Sequence, residues 1–194
     1  MRYALAAIAL MFTIACAKQG PVPVAPKPFR PPAKQVIKPK PQQTDCEPTV
    51  IESADPAVPY DKRVIVESNN LSAEAIRQLA DANKEGMPAP DREALFIEAV
   101  DGLKTALVSD PYNVAATYYL AAAYASIDRP QCSINLLDRL ALLRKLGSHT
   151  ANVEARVDRL LGRNKYKGKL DPAFDHMRSN NRFRVVVEKL IAPL

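Results

Sequence analysis

The chain has 194 residues, 47% of them hydrophobic, and a formal charge of +6, which bounds it at one or two domains. Eleven of its 17 prolines lie between Pro21 and Pro59. That asymmetry excludes one uniformly folded body. It leaves a Pro-rich N-terminal third ahead of a portion long enough to bury one core.

Residues 1–15 carry one cation, Arg2, and an apolar run from Ala4 to Ala15. The run is too short to cross a bilayer and fits the core of a secretory signal peptide. Thr-Ile-Ala-Cys at positions 13–16 resembles the bacterial lipobox, with Thr13 standing where Leu is usual. The resemblance implies cleavage before Cys16 and lipidation of its thiol, against ordinary signal cleavage with Cys16 a bystander. Ala17, not Asp, follows the cysteine, and in the resemblance this implies sorting to the outer membrane; the periplasmic face is the expected side, with the cell surface the alternative. A multiply acylated cysteine would hold the chain there stably.

Residues 16–59 form the expected tether. Proline at this density favours polyproline II and forbids helix or sheet ladders, so a disordered Pro-rich spacer is predicted. Lys18, Lys27, Arg30, Lys34, Lys38 and Lys40 all precede the first acid, Asp45. Given the envelope address, such an arm suits cell-wall or lipopolysaccharide anions better than nucleic acid. The simpler reading, which is preferred, is a solvated linker whose lysines only keep it from collapsing. Once Cys16 is lipidated, Cys46 and Cys132 remain. In an oxidising compartment they are a candidate disulfide joining the end of the tether to the helices, the alternative being two thiols.

Residues 60–194 read as an all-α domain of about six helices stacked antiparallel. The run KRVIVE at 62–67 alternates and is expected to be an edge strand or an extended segment. Residues 71–85 form the first helix, capped by Ser72, with Ile76, Leu79 and Ala80 inward and Gly86 at its end. Asp91 caps the second helix, residues 91–109, whose Leu95, Phe96, Val100, Leu103 and Leu107 recur at 3–4 spacing. Asp110-Pro111 stops it. The third helix, 113–127, contains VAATYYLAAAYASI, uncharged and with three tyrosines. A helix apolar on every side needs neighbours on more than one side, so it is the expected middle layer. The fourth, 130–146, opens on Pro130 and buries Ile134, Leu137, Leu140 and Leu143, with Arg139, Arg144 and Lys145 towards solvent. A fifth spans 150–161 with Val153, Val157 and Leu160 on one face. After a basic loop and a short turn, a final helix points Phe183, Val186, Val187 and Leu190 inward.

The spacing of helices two to four resembles the tetratricopeptide repeat, whose period is about 34 residues. Ala99, Leu103, Ala106 and Pro111 match the second helix of one repeat. Leu120, Ala121, Tyr124, Ser133 and Leu137 match the next, while Thr117 and Lys145 depart from its first aromatic and closing proline. The resemblance implies a groove lined by Ala115, Tyr118, Ala122 and Ser126, open to a protein or peptide partner, with Tyr118 reading alternatively as a core residue of so apolar a helix. The tail DPAFDHMRSNNRF is similar to the closing segment of bacterial proteins of this type, through Asp171, Phe174, Arg178, Arg182 and Phe183, with Met177 for Leu. Phe174, Met177 and Phe183 would then form a cap beneath the last helices.

No G-x-G-x-x-G, P-loop, H-E-x-x-H or G-x-S-x-G motif occurs, His149 and His176 are far apart, and no cysteine pair has zinc spacing. No enzyme, cofactor or metal is therefore expected. The sequence points to an outer-membrane lipoprotein acting as an interaction scaffold or assembly factor in a cell-envelope complex. The alternative is a structural tether that grips the envelope through its basic arm.

Overall fold

The computed structural model describes residues 63–194, so the leader, Cys16, the tether and Cys46 lie outside the described residues. Six α-helices follow one another: α1 (Ile65–Ala82), α2 (Ala89–Ser109), α3 (Val114–Ser126), α4 (Pro130–Arg144), α5 (Thr150–Leu161) and α6 (Asn181–Ile191). Short 3-10 turns at Asn164–Tyr166 and Pro172–Met177 lie between the last two. Among the described residues there is no strand and no helix long and apolar enough to cross a membrane. The architecture is an all-α antiparallel stack.

The expected strand at the start is instead the first turn of α1. The apolar side chains that suggested alternation, Val64, Ile65 and Val66, are 49%, 47% and 74% exposed. What the backbone buries is Ser68, whose Oγ donates to the Ala106 carbonyl at 2.7 Å, while Val64 N donates to the Ser109 carbonyl. A helix begun at Ile65 brings Ser68, Ser72, Ala75, Leu79 and Ala82 onto one face. Ser72 is therefore mid-helix rather than a cap, and its Oγ donates to the Asn69 carbonyl. Four of the five residues in this stripe are small, so α1 lies close on α2. A Cβ added at Gly102 of α2 would sit 3.3 Å from that of Ala75.

Helix α2 starts two residues before Asp91, because Pro90 in the first turn needs no amide partner. It buries Phe96, Ala99, Leu103, Ala106 and Leu107, with Leu95 and Val100 half-buried beside them. It stops at Asp110, which is extended ahead of Pro111. Asn113 caps α3, its Oδ1 accepting from Ala116 N at 2.9 Å. Ten of the 13 residues of α3 are buried. Its neighbours explain why: α2 and α4 pack behind it while α1 and α5 flank it. The uncharged helix is the middle layer.

Helix α4 buries Ile134, Leu137, Leu140 and Leu143 as expected, but two of its cations are not on the solvent face. Arg139 is only 3% exposed, and its Nη2 donates to the Pro111 carbonyl at 2.6 Å, tying α4 to the α2–α3 turn. Arg144 is half-buried, donating to the Ala192 carbonyl beyond α6 and approaching Glu154 of α5. Long cationic stems cover apolar surface, so a charged head does not keep a residue outside.

Helix α5 has the expected bounds and ends on Gly162, left-handed at φ 66. Phe174, Met177 and Phe183 are all buried. Phe174 stacks on Phe183 at 5.9 Å and tilts against Tyr118 at 5.8 Å. The tail thus closes over the middle helix α3 as well as the last ones, and α6 packs back on α4.

Candidate interaction groove

The inner helices α1, α3 and α5 lie side by side, and a trough runs along the exposed edge of α3. One stripe of that helix lines it, at spacings of four, three and four: Ala115 and Tyr119 are half-buried, Ala122 is buried and Ser126 is exposed. A cavity of about 320 Å³ opens beside the helix starts, lined by Arg63, Asn69, Ala115, His149, Asn152 and Arg156, with the α2–α3 turn as its floor. A second, of about 590 Å³, opens towards the helix ends, where Ile76, Leu79, Phe96, Ala122 and Ala173 supply a mostly apolar lining, with Ser126, Arg92, Arg159 and Asp171 at its sides. Tyr119 stands between them. Arg156 and Arg159, one turn apart on α5, lie over its ring at 5.2 and 5.3 Å.

Of the residues expected to line a groove, the structure puts Ala115 at the first cavity and Ala122 and Ser126 at the second. Tyr118 is not among them. It is fully buried, and its hydroxyl donates to Asp171 Oδ2 at 2.8 Å. The two adjacent tyrosines divide the work: Tyr118 turns into the core to meet the tail, and Tyr119 faces the trough. Spacing alone does not separate them, since residues 115, 118, 122 and 126 recur at 3-4-4 and residues 115, 119, 122 and 126 at 4-3-4, both on one helix face; the bond from Tyr118 to Asp171 does. The arginines of α5 carried no signal in the sequence, because nothing in the repeat pattern extended to that helix.

Two clasps hold the trough's walls. In one, Asp171 accepts from Arg159 Nε at 2.7 Å, from Tyr118 and from Ala173 N, so one buried carboxylate joins α5, α3 and the tail. Arg178 reinforces it by donating to the Asp171 carbonyl and to Asp175. Burial, then the charge and the hydrogen bond of Asp171, push the Tyr118 phenol far above its ordinary range. In the other, Arg63 pairs with Asp110 through Nε at 2.7 Å and Nη2 at 3.1 Å and lies over Tyr112. The hydrogen bond to Asp110 raises the Arg63 pKa against the opposing effect of burial. Tyr112 stacks on His149 at 6.0 Å. Asn113 continues the network, its Nδ2 donating to Ser68 Oγ at 2.8 Å. Burial first, and the nearby Arg63 second, lower the His149 pKa, with Asp110 opposing.

The trough's charge follows from these pairings. Asp110 and Asp171 are the carboxylates lining it, and each is matched by an arginine. Arg156 and Arg92 line it too, and among the described residues neither makes an ion pair. Arg92 donates to the Met87 carbonyl and Arg156 leans on Tyr119. The surface is apolar at one end and net cationic, with half-buried walls held rigidly. Such a trough suits an extended chain better than a small polar substrate.

Cys132 is buried in the first turn of α4, and its candidate partner Cys46 lies outside the described residues. No family model, curated protein or solved structure matches the chain.

Proposed function

We propose that this protein is an outer-membrane lipoprotein whose helical domain offers the α1–α3–α5 trough to a protein or peptide segment of a cell-envelope complex. The observation that carries the reading is the trough itself. On the inner face of three helices two cavities lie along α3, one at Ala115 and one at Tyr119, Ala122 and Ser126, while most of the rest of that helix is sealed by neighbours and tail. The repeat resemblance, the lipobox-like Thr-Ile-Ala-Cys and the Pro-rich arm support it from the sequence. In this reading Cys16 is the lipidated residue, residues 16–59 span the distance from the membrane, and the domain faces the periplasm. Cys46 and Cys132 are bridged, fastening the end of the arm to α4.

Crosslinked co-purification from envelope membranes followed by mass spectrometry tests the reading. A partner recovered with the native chain should be lost with Ser126→Trp, which fills the trough from an exposed position. Recovery unchanged by that substitution would contradict it. Mass spectrometry of the unreduced protein should find Cys46 and Cys132 joined, and alkylation of both thiols without reductant would refute the bridge.

A second reading is favoured by the six cations between Cys16 and Asp45. The arm would hold cell wall or lipopolysaccharide, and the helices would be passive. Deleting residues 27–40 separates the two. The second reading requires loss of sedimentation with cell-wall sacculi; the first leaves it unchanged.

A further inference from the structure

We propose that the trough's occupant is an extended segment of a partner protein that seats an internal Asp or Glu side chain on Arg156 and an apolar side chain beside Ala122. The inference rests on the reading just given and names the class of partner it requires.

Three observations converge on it. The first is charge complementarity. Both carboxylates that line the trough are consumed by Arg159 and Arg63, so a partner meets uncompensated positive charge and no free acid. The second is the posture of Arg156. Its guanidinium is braced against the Tyr119 ring, and the hydrogen bond it makes among the described residues, to the Tyr119 hydroxyl, is long at 3.5 Å. That leaves most of its five N–H donors for a planar acceptor, and a carboxylate fits such a fork. Bracing the side chain beforehand reduces the entropy lost when it is engaged.

The third observation decides between an internal carboxylate and a chain terminus. Cavities lie on both sides of the Tyr119–Arg156–Arg159 cluster, one polar at the helix starts and one apolar towards the helix ends. A segment seated on Arg156 by its own terminus would fill one of them and leave the other empty. A segment passing through fills both. Its direction follows: polar backbone groups lie by Asn69 and Asn152, the acid sits on Arg156, and the apolar residue comes next, towards Ala122 and Phe96. A nucleic-acid strand matches less well, since its affinity scales with the number of phosphates neutralised. The trough offers two uncompensated arginines, and its larger cavity is apolar.

The test pans a phage-displayed random peptide library against the full chain, held through a C-terminal tag. One selected peptide is then synthesised with its acid and with the matching amide, and affinities are read by fluorescence polarisation. On the native chain the amide should bind about tenfold more weakly. On Arg156→Gln the acid and amide peptides should differ by less than about threefold, with the melting temperature of the variant unchanged. Selected peptides that are displaced by Ser126→Trp yet indifferent to their own carboxylate and to Arg156 would overturn this inference while leaving the groove reading intact. If no selected peptide is sensitive to Ser126→Trp, both fall. Competition by a single-stranded oligonucleotide at equal affinity would overturn the assignment to a peptide.

Discussion

Replacing Asp171 by Ala should unfold the stack far more easily than its place in a loop suggests. The carboxylate is 4% exposed and takes hydrogen bonds from Arg159, Tyr118 and Ala173. Removing it leaves the Tyr118 hydroxyl buried without an acceptor, a loss of about 1–3 kcal/mol. The 3-10 turn that begins at Pro172 also loses its cap, worth about 1 kcal/mol. Arg159 adds less than about 1 kcal/mol, because its side chain is 38% exposed and can turn to water. The sum is about 3 kcal/mol, or roughly a 10 °C fall in melting temperature for a domain of this size. Urea denaturation followed by far-UV circular dichroism measures it. A second substitution sharpens the reasoning. Tyr118→Phe should destabilise the native chain, yet in the Asp171→Ala background it should restore about 1 kcal/mol or more, since the stranded hydroxyl is gone. A cost below about 1 kcal/mol for Asp171→Ala, or a further loss in the double variant, would refute the clasp.

Tyr118 also predicts an alkaline limit. Its folded pKa is raised, so the stability it contributes is intact below the unfolded value of about 10 and is lost as pH climbs above it, at about 1.4 kcal/mol per pH unit. Alkaline melts should show that loss and Tyr118→Phe should blunt it; identical profiles would contradict the burial. For His149 the folded pKa is lowered, so its contribution is present above the ordinary imidazole value and falls as pH drops below about 6.5. An NMR titration should place the His149 midpoint under about 6.5, and a midpoint above it would show that Asp110 outweighs burial and Arg63. Gly162→Ala should cost more than about 1 kcal/mol, because the residue sits at φ 66 and the new Cβ would lie 2.8 Å from the Gly168 carbonyl carbon. An unchanged urea midpoint would mean that the loop after α5 yields freely.

The order and class of the helices were legible because hydrophobic periodicity and proline punctuation are local signals. Asn113, Pro130 and Gly162 mark their boundaries directly, and the uncharged run in α3 required neighbours on several sides. The start of α1 was not legible. There the apolar residues stay exposed, and Ser68 is buried by bonds to Ala106 and Asn113, about 40 positions away. Arg139 and Arg144 were misplaced for a related reason: charge argues for solvent, while a carbonyl that needs a donor argues for burial, and only the fold shows which carbonyls are near. The tail motif revealed its apolar contacts through Phe174, Met177 and Phe183. It did not reveal that Asp171 reaches α3 and draws Tyr118 away from the trough. That one contact leaves Tyr119 as the tyrosine at the trough, and Arg156 braced on it is what adds an acid to the partner proposed for the groove.

In the proposed function partners meet the inner face of the stack. Site-specific photocrosslinking in intact envelopes tests it most directly, with a benzophenone side chain placed at Ser126 in the trough or at Ile97, which is 57% exposed on α2 and lines neither trough cavity. Discrete adducts from Ser126 and none from Ile97 are the predicted result. Adducts from Ile97 alone would place the interaction on α2 and contradict the claim.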